Sequence, residues 1–343
     1  MSSPTRQISV LLAPASGPGV GGGHVMRCLT LAEALEARDC RCSFAVAEAG
    51  ADLIARFRPD RYAVHTLSGP SSIASAVTRA RPDGLVIDNY SIDASVEMSL
   101  RGHVKRLMVI DDLANRSHAA DLVLDPGYGR TPDAYRKLAP RAIALTGPEY
   151  ALVRNEFRVL RSEAGPTIRP AIDRIFVSFG LADIGEIARR AVELLLRLAP
   201  AARLEVALAS DAPSAKALSV MAARDVRVRV HLDARDVAGL MADCDLCVGA
   251  GGSGVWERAV MGLPSLIVVV ADNQRELVRR LANEHACAAA DMADASFDAS
   301  FADAFRVISD PAVRREMAKT SMRLCDGRGA DRAADELIWL LRR

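Results

Sequence analysis

Short apolar runs rich in Val, Ile and Leu alternate along this chain with segments whose apolar residues recur every third or fourth position. Runs at 8–13, 42–46, 84–87, 106–110 and 121–124 predict strands, and 25–37, 71–80 and 93–100 predict helices between them. Strands apolar on both faces belong in a parallel sheet covered by helices. The pattern then restarts, with strands expected at 174–179, 203–208, 226–230, 245–248 and 265–270. Helices are expected between those strands at 184–198, 214–223, 237–242 and 255–261. Between the two series, at 158–173, Gly165-Pro166 and Arg169-Pro170 interrupt both periods. The expected organisation is an α/β protein of two doubly wound, Rossmann-like domains, 1–160 and 161–329, facing a central cleft. A last helix within 330–343 has no strand after it and is expected to pack back on the first domain. In such sheets ligands bind beyond the carboxyl ends of the strands, so the functional residues are sought just after each strand.

Composition narrows the function classes. Half of the 343 residues are apolar and a quarter charged, as a folded chain of about two domains requires. The 44 basic and 43 acidic side chains leave a formal charge of +1, which provides no general field for nucleic acid or an anionic membrane. The longest apolar stretch, 263–271, holds a proline and a serine and is too short to span a bilayer, so no membrane insertion is expected. The start MSSPTRQISV lacks a basic-then-apolar leader pattern, which makes a cytoplasmic location the expectation. Seven cysteines are an odd number. Cys244-x-x-Cys247 and Cys40-x-Cys42 suggest zinc, but alternate side chains of a strand face opposite ways, so buried thiols are the better reading. No metal cluster and no cofactor are expected.

Two loops stand where the chemistry should be. After the first strand comes PASGPGVGGGH, whose Gly17-x-Gly19-x-x-Gly22 formally fits the dinucleotide fingerprint. About ten residues separate strand from helix where that fingerprint needs a tight turn, so a nicotinamide dehydrogenase is a weak reading. The loop Gly21, Gly22, Gly23 can instead bring backbone N–H groups and a helix start to an anion, with His24 at the helix entry. Histidine suits proton transfer near neutrality, although a helix-start histidine can equally be a local hydrogen-bonding group. In the second half, the strand at 245–248 runs into Gly249-Ala250-Gly251-Gly252-Ser253-Gly254 and then a helix. That arrangement suits a diphosphate. Glu257 lies in the helix's first turn, either as a favourable charge on the dipole or as an acceptor for ribose hydroxyls. Asp272 and Asn273 follow the next strand, as sugar contacts or as helix caps.

The stretch GAGGSGVWERAVMGLPSLIVVVADNQ resembles the nucleotide-sugar half of the GT-B fold. More narrowly, the chain is similar to the UDP-2,4-diacetamido-2,4,6-trideoxy-β-L-altropyranose hydrolases of pseudaminic acid biosynthesis. GGGHVMRCLTLAEAL looks like that family's first motif. Asp88-Asn89-Tyr90, Asp111-Asp112-Leu113-Ala114-Asn115-Arg116 and Gly147-Pro148-Glu149-Tyr150-Ala151-Leu152 resemble three further segments, in the family's order, between Gly21 and His285. The chain departs from the pattern twice. Leu11-Leu12-Ala13-Pro14-Ala15 stands where the family has Arg-x-Asp, and Gly180-Leu181 stands where it has two glycines. Leu181 is therefore expected beside the ligand, altering sugar preference more than the fold.

The resemblance implies hydrolysis of a UDP-sugar substrate at its anomeric carbon with inversion. His24 would be the base on water, Tyr90 and Asn273 would position sugar or water, and Glu257 would hold the ribose. Backbone of Gly21, Gly22, Gly23, Gly180, Gly251, Gly252, Ser253 and Gly254, with Asp272, would bind UDP and sugar. A GT-B glycosyltransferase passing the same donor sugar to an acceptor is the alternative, and a UDP-sugar-binding protein without turnover is a third.

Overall fold

A computed structural model describes residues 6–17, 20, 22–69, 72–162 and 165–343. The chain divides into two compact units, Met1–Val153 with Arg328–Arg343, and Arg154–Gly327.

The first unit runs β1 (Ser9–Pro14), α1 (Gly23–Glu36), β2 (Arg41–Val46), α2 (Glu48–Phe57), β3 (Ala63–Thr66), α3 (Ile73–Ala80), β4 (Gly84–Asp88), α4 (Ala94–Arg101), β5 (Arg106–Ile110), β6 (Leu122–Asp125) and β7 (Ile143–Thr146). Its seven strands are all parallel, in the order β3-β2-β1-β4-β5-β6-β7. Strand order reverses between β1 and β4, and there the loops after two neighbouring strands diverge to opposite faces. Both faces are covered. Val10 and Leu12 of β1 point into one core with Leu29 and Leu31 of α1, whereas Leu11 and Ala13 point into the other with Ile73 and Val77 of α3.

The second unit runs α5 (Asn155–Val159), β8 (Arg174–Ser178), α6 (Ile187–Leu198), β9 (Arg203–Leu208), α7 (Ala215–Ala222), β10 (Val228–Leu232), α8 (Val237–Ala242), β11 (Leu246–Ala250), α9 (Gly254–Met261), β12 (Ser265–Val269), α10 (Arg275–Asn283), β13 (Ala288–Asp291), α11 (Phe297–Ser309) and α12 (Pro311–Leu324). Its six parallel strands lie in the order β10-β9-β8-β11-β12-β13, with the reversal between β8 and β11. The core gathers Ile175, Val177, Leu204, Val206, Leu246 and Val248 against α6 and the phenylalanines of α11.

The last helix, α13 (Gly329–Leu341), belongs to the first unit, where Ala333, Leu337, Ile338 and Leu341 are buried in the core that α1 shares. The Gly147–Leu152 segment is its seat. Arg332 Nη1 donates to the Glu149 carbonyl at 2.8 Å, and Gly329 lies against the backbone of Tyr150 and Ala151.

Several elements differ from the pattern. The short edge strands β3 and β7 and the alanine strand β13 carry too few large apolar side chains to signal a run. The helix α10 buries only Val278 and Leu281. The strand expected at 226–230 begins at Val228, and Val226 is 98% exposed in the turn before it. The strand expected to end at 248 continues to Ala250, so Gly249 is a strand residue. A Cβ there would stand 2.3 Å from the Ser178 carbonyl oxygen, and only glycine lets β11 and β8 approach so closely. All seven cysteines are free and buried.

The α13 seat is testable. A Cβ on Gly329 would lie 2.3 Å from the Ala151 carbonyl oxygen and 2.4 Å from the Tyr150 carbonyl carbon, both rigid backbone. Gly329→Ala should therefore lower unfolding free energy by roughly 1–3 kcal/mol, read from the urea midpoint. Gly102→Ala, where a Cβ meets nothing within 4 Å, should leave the midpoint nearly unchanged.

Candidate functional site

In the first unit the chemistry gathers at the β1–β4 reversal. Gly21, with Gly19 of the fingerprint, lies outside the described residues. Gly22 is the N-cap of α1 and Gly23 its first residue. His24, Arg27 and Cys28 then share one helix face, because they are three and four residues apart. Asp88, the last residue of β4, is fully buried beneath them.

Asp88 accepts from Arg27 through both carboxylate oxygens, Nε to Oδ2 and Nη2 to Oδ1, each at 2.5 Å. Burial alone would raise its pKa, but the Arg27 and His24 partners overcome this and hold the carboxyl at about 2. An ionised carboxylate only accepts hydrogen bonds, so His24 Nδ1, 2.7 Å from Oδ1, must carry the proton. Arg27 Nη2 also lies 3.2 Å from His24 Nδ1. Neither atom has a lone pair to offer, so that contact is two donors converging on one oxygen. In the neutral ring the lone pair then sits on Nε2, which has no partner among the described residues, the tautomer a general base needs.

Arg27 continues the chain of contacts through Nη1 to Asp112 Oδ2 at 2.8 Å, and Asp112 Oδ1 accepts from Tyr90 Oη at 2.6 Å. The Tyr90 ring meets the His24 ring edge-on, with centroids 4.9 Å apart. Burial first, and then the Asp112 charge, push the Tyr90 hydroxyl upward, so it stays a proton donor near neutrality. His24, Asp88, Arg27, Asp112 and Tyr90 thus form a closed circuit. Of its members, Asp88, Arg27 and Asp112 had appeared only inside motifs, with no role assigned.

A second polar layer supports the circuit. Asp111 is buried and accepts from Arg116 Nη1 at 2.7 Å and from the Ala114 N–H at 3.0 Å. Tyr135 Oη lies 2.9 Å from Asp111 Oδ2. The Arg116 guanidinium in turn lies 5.6 Å over the Tyr90 ring. His118, fully buried, donates through Nδ1 to Glu97 at 2.8 Å, and its Nε2 stands at an ion-pair distance of 3.4 Å from Asp111.

The second unit builds differently. Gly180 follows β8 with φ +80° and open space around it. Leu181 is half-buried, with part of its side chain packed against the hydrophobic core. Asp183 is buried and caps α6, accepting from the N–H of Ala188 and of Ser214, each at 2.9 Å.

After β11, Gly251, Gly252 and Ser253 lead into α9 at Gly254. The Gly251 N–H is already committed to Gln274 Oε1 at 3.1 Å, and the same oxygen accepts from the Val270 N–H at 3.2 Å. Gly251 therefore shapes the loop through Gln274, while the N–H groups of Gly252, Ser253 and Gly254 have no partner among the described residues. Glu257 Oε1 accepts from Arg154 Nε at 2.8 Å, and Arg154 stacks 4.7 Å over Phe157. One oxygen of the Glu257 carboxylate is thus engaged, and Oε2 lies 3.7 Å from where a Cβ on Gly254 would stand. Asp272 and Asn273 lie on an exposed 3-10 turn. Neither caps a helix, and Asp272 pairs with Arg275 at 3.0 Å. Among the described residues, no cluster of three or more His, Cys, Asp or Glu is arranged to hold a metal ion. No helix among them is long and apolar enough to cross a membrane.

No family model matches the chain. It is 23% identical over 264 residues to an uncharacterized protein of Methanocaldococcus jannaschii, a match that spans 75% of this chain but 54% of that protein, about half its length. It is 25% identical over 283 residues to the UDP-2,4-diacetamido-2,4,6-trideoxy-β-L-altropyranose hydrolase of Campylobacter jejuni, covering 81% of this chain and 97% of the relative. Among solved structures it superposes on MurG of Acinetobacter baumannii with a TM-score of 0.66 at 14% identity, covering 97% of this chain and 99% of that one. A UDP-GlcNAc 2-epimerase from Neisseria meningitidis gives 0.65 at 13%, covering 97% and 100%. The calicheamicin glycosyltransferase CalG4 gives 0.62 at 17%, covering 99% of both chains.

The fold is GT-B. In a GT-B protein two parallel α/β sheets are built in series, and here each places its glycine-bearing loop at its own strand-order reversal.

The second polar layer gives a pH prediction. Burial lowers the His118 pKa, but the Asp111 and Glu97 hydrogen bonds and charges raise it further, to about 9 from an ordinary 6.5. A raised value means that the protonated form stabilises the fold fully below about pH 6.5, and that this contribution disappears as pH rises through about 9. Unfolding free energy should fall across that window by on the order of 3 kcal/mol. His118→Gln, measured in parallel by urea titration, should show a flatter profile. An equal slope in both proteins would place the titration elsewhere.

Proposed function

We propose that the chain hydrolyses a UDP-linked 2,4-diacetamido-2,4,6-trideoxy hexose at its anomeric C–O bond, the β-L-altropyranose being the expected sugar. The observation that carries the reading is the His24–Asp88 pair, which ties down Nδ1 and leaves Nε2 without a partner among the described residues at the β1–β4 reversal. The 25% identity to the Campylobacter hydrolase across 97% of its length supports the same chemistry.

In this reading water is the nucleophile. His24 Nε2 takes its proton as the oxygen bonds to the anomeric carbon, the bond to the UDP oxygen breaks, and the configuration inverts. Asp88 steadies the imidazolium that forms. Arg27 keeps Asp88 ionised, and Tyr90 keeps the imidazole ring in place while its hydroxyl oxygen remains able to accept from sugar or water. The charge that grows on departing UDP meets the backbone donors of Gly252, Ser253 and Gly254 at the start of α9. Gly22 and Gly23 offer further donors at the start of α1. Glu257 Oε2 accepts from ribose, with Arg154 fixing the carboxylate through Oε1. Asn273 and Asp272 contribute exposed polar groups to the sugar.

Two measurements test this reading. A general base contributes about 10²–10⁴-fold, so His24→Asn should nearly abolish UDP release while UDP still binds. Turnover in ¹⁸O-water should place the label in the sugar. Label in the nucleotide would make the chain a pyrophosphatase, and UDP release only on addition of an acceptor would make it a transferase.

Glu257→Ala should weaken UDP by roughly 1–3 kcal/mol in calorimetry, the cost of a lost charged hydrogen bond. Unchanged affinity in a folded variant would remove Glu257 from the nucleotide site.

A further inference from the structure

The glycine loop of the second unit has a charged floor. Arg258, on the second turn of α9, is 4% exposed. Its Nη2 donates to the Ala250 carbonyl at 2.8 Å, and its Nε is buried with no hydrogen-bond partner. A Cβ added at Gly249 would stand 3.1 Å from Arg258 Nη1, and one added at Gly254 would stand 3.6 Å from the same atom. The guanidinium therefore lies close to both ends of the loop, Gly249 and Gly254, whose segment also carries the unpartnered N–H groups of Gly252, Ser253 and Gly254.

No carboxylate balances this charge. Among the described residues Arg258 makes no ion pair, and its neighbour Glu257 is already held by Arg154. Burial pushes the nearby Cys247 thiol up to about 11 despite the arginine, and burial likewise raises Cys287 to about 12, so both sulfurs stay neutral. A buried charge without a counter-ion costs several kcal/mol, and an anion bound at the loop would offset that cost. The other buried cation near a glycine loop, Arg27, is by contrast neutralised by two aspartates.

We propose that Arg258 is a positioning residue for a diphosphate. Its fixed positive charge, screened from water behind the loop, makes the N-terminus of α9 an anion site selective for the phosphate part of a nucleotide. The Ala250 contact also holds the loop in the shape that presents its N–H groups. This deepens the UDP-sugar reading, on which it rests for the identity of the natural ligand, but the site itself is defined by anion chemistry.

Inorganic pyrophosphate is the direct probe, titrated by calorimetry into the full chain beside uridine. Wild type should bind pyrophosphate. Arg258→Gln should weaken pyrophosphate by about tenfold or more, because the fixed charge behind the loop is lost, with uridine affinity changed less than about twofold. Arg258→Lys keeps the charge and should hold pyrophosphate within about threefold of wild type. The proposal is overturned if wild type fails to bind pyrophosphate or if Arg258→Gln binds it normally. Equal loss of pyrophosphate and uridine also overturns it, because Arg258 would then only prop the loop. Should Arg258→Gln not fold, Arg258→Lys decides, and a folded Lys variant weakened about tenfold refutes the charge argument. Pyrophosphate binding by a wild type that releases no UDP keeps this inference and removes the hydrolase reading. Normal turnover by Arg258→Gln does the reverse.

Discussion

The head of the first sheet depends on the fork formed by Arg27 and Asp88. A fully buried carboxylate is expensive to keep ionised, and removing one partner of such a pair costs about 3–5 kcal/mol. With both oxygens engaged by one guanidinium, Asp88 stays charged and cannot rotate. His24 then has only one tautomer available to it. Because the third guanidinium nitrogen reaches Asp112, the same fork also sets Tyr90, whose ring closes back on His24. One ion pair thus serves stability and the orientation of His24 together.

The two neighbouring aspartates after β5 divide their labour. Consecutive residues leaving a strand point to opposite sides, so Asp112 turns toward Arg27 and Tyr90 while Asp111 turns into the interior. Asp111 meets Tyr135, Arg116 and the protonated His118, and Arg116 returns to cover the Tyr90 ring. The interior layer is a scaffold of charges that are individually costly and that offset one another. It locks the side chains in front of it without touching the face that His24 presents.

The second unit shapes its glycine loop by backbone. Gly249 lets two strands approach, Gln274 ties the end of β12 to Gly251, and the next three N–H groups are left unpaired at a helix start. In the first unit opposite charges cancel within the protein. In the second, the loop and Arg258 leave a local positive excess that an anion can complete.

What the sequence by itself determined is the class of architecture and the places to look. Two series of strand and helix periods, broken near Gly165-Pro166, encode two parallel sheets, since period and apolarity are local properties of the chain. The glycine loops, His24 and Glu257 were legible because each directly follows a strand or opens a helix. Edge strands such as β3 and β7 were not legible, because a strand half open to solvent carries no apolar run. The tertiary structure alone decided the partners. Asp88 is 61 residues from Arg27, and Asp112 is 85, so nothing in local spacing couples them. It also packed part of Leu181 against the core, gave Gln274 rather than Asn273 the loop contact, and left Arg258 buried without an ion pair among the described residues. Those outcomes depend on which side chains burial brings together, and burial is a property of the packed chain.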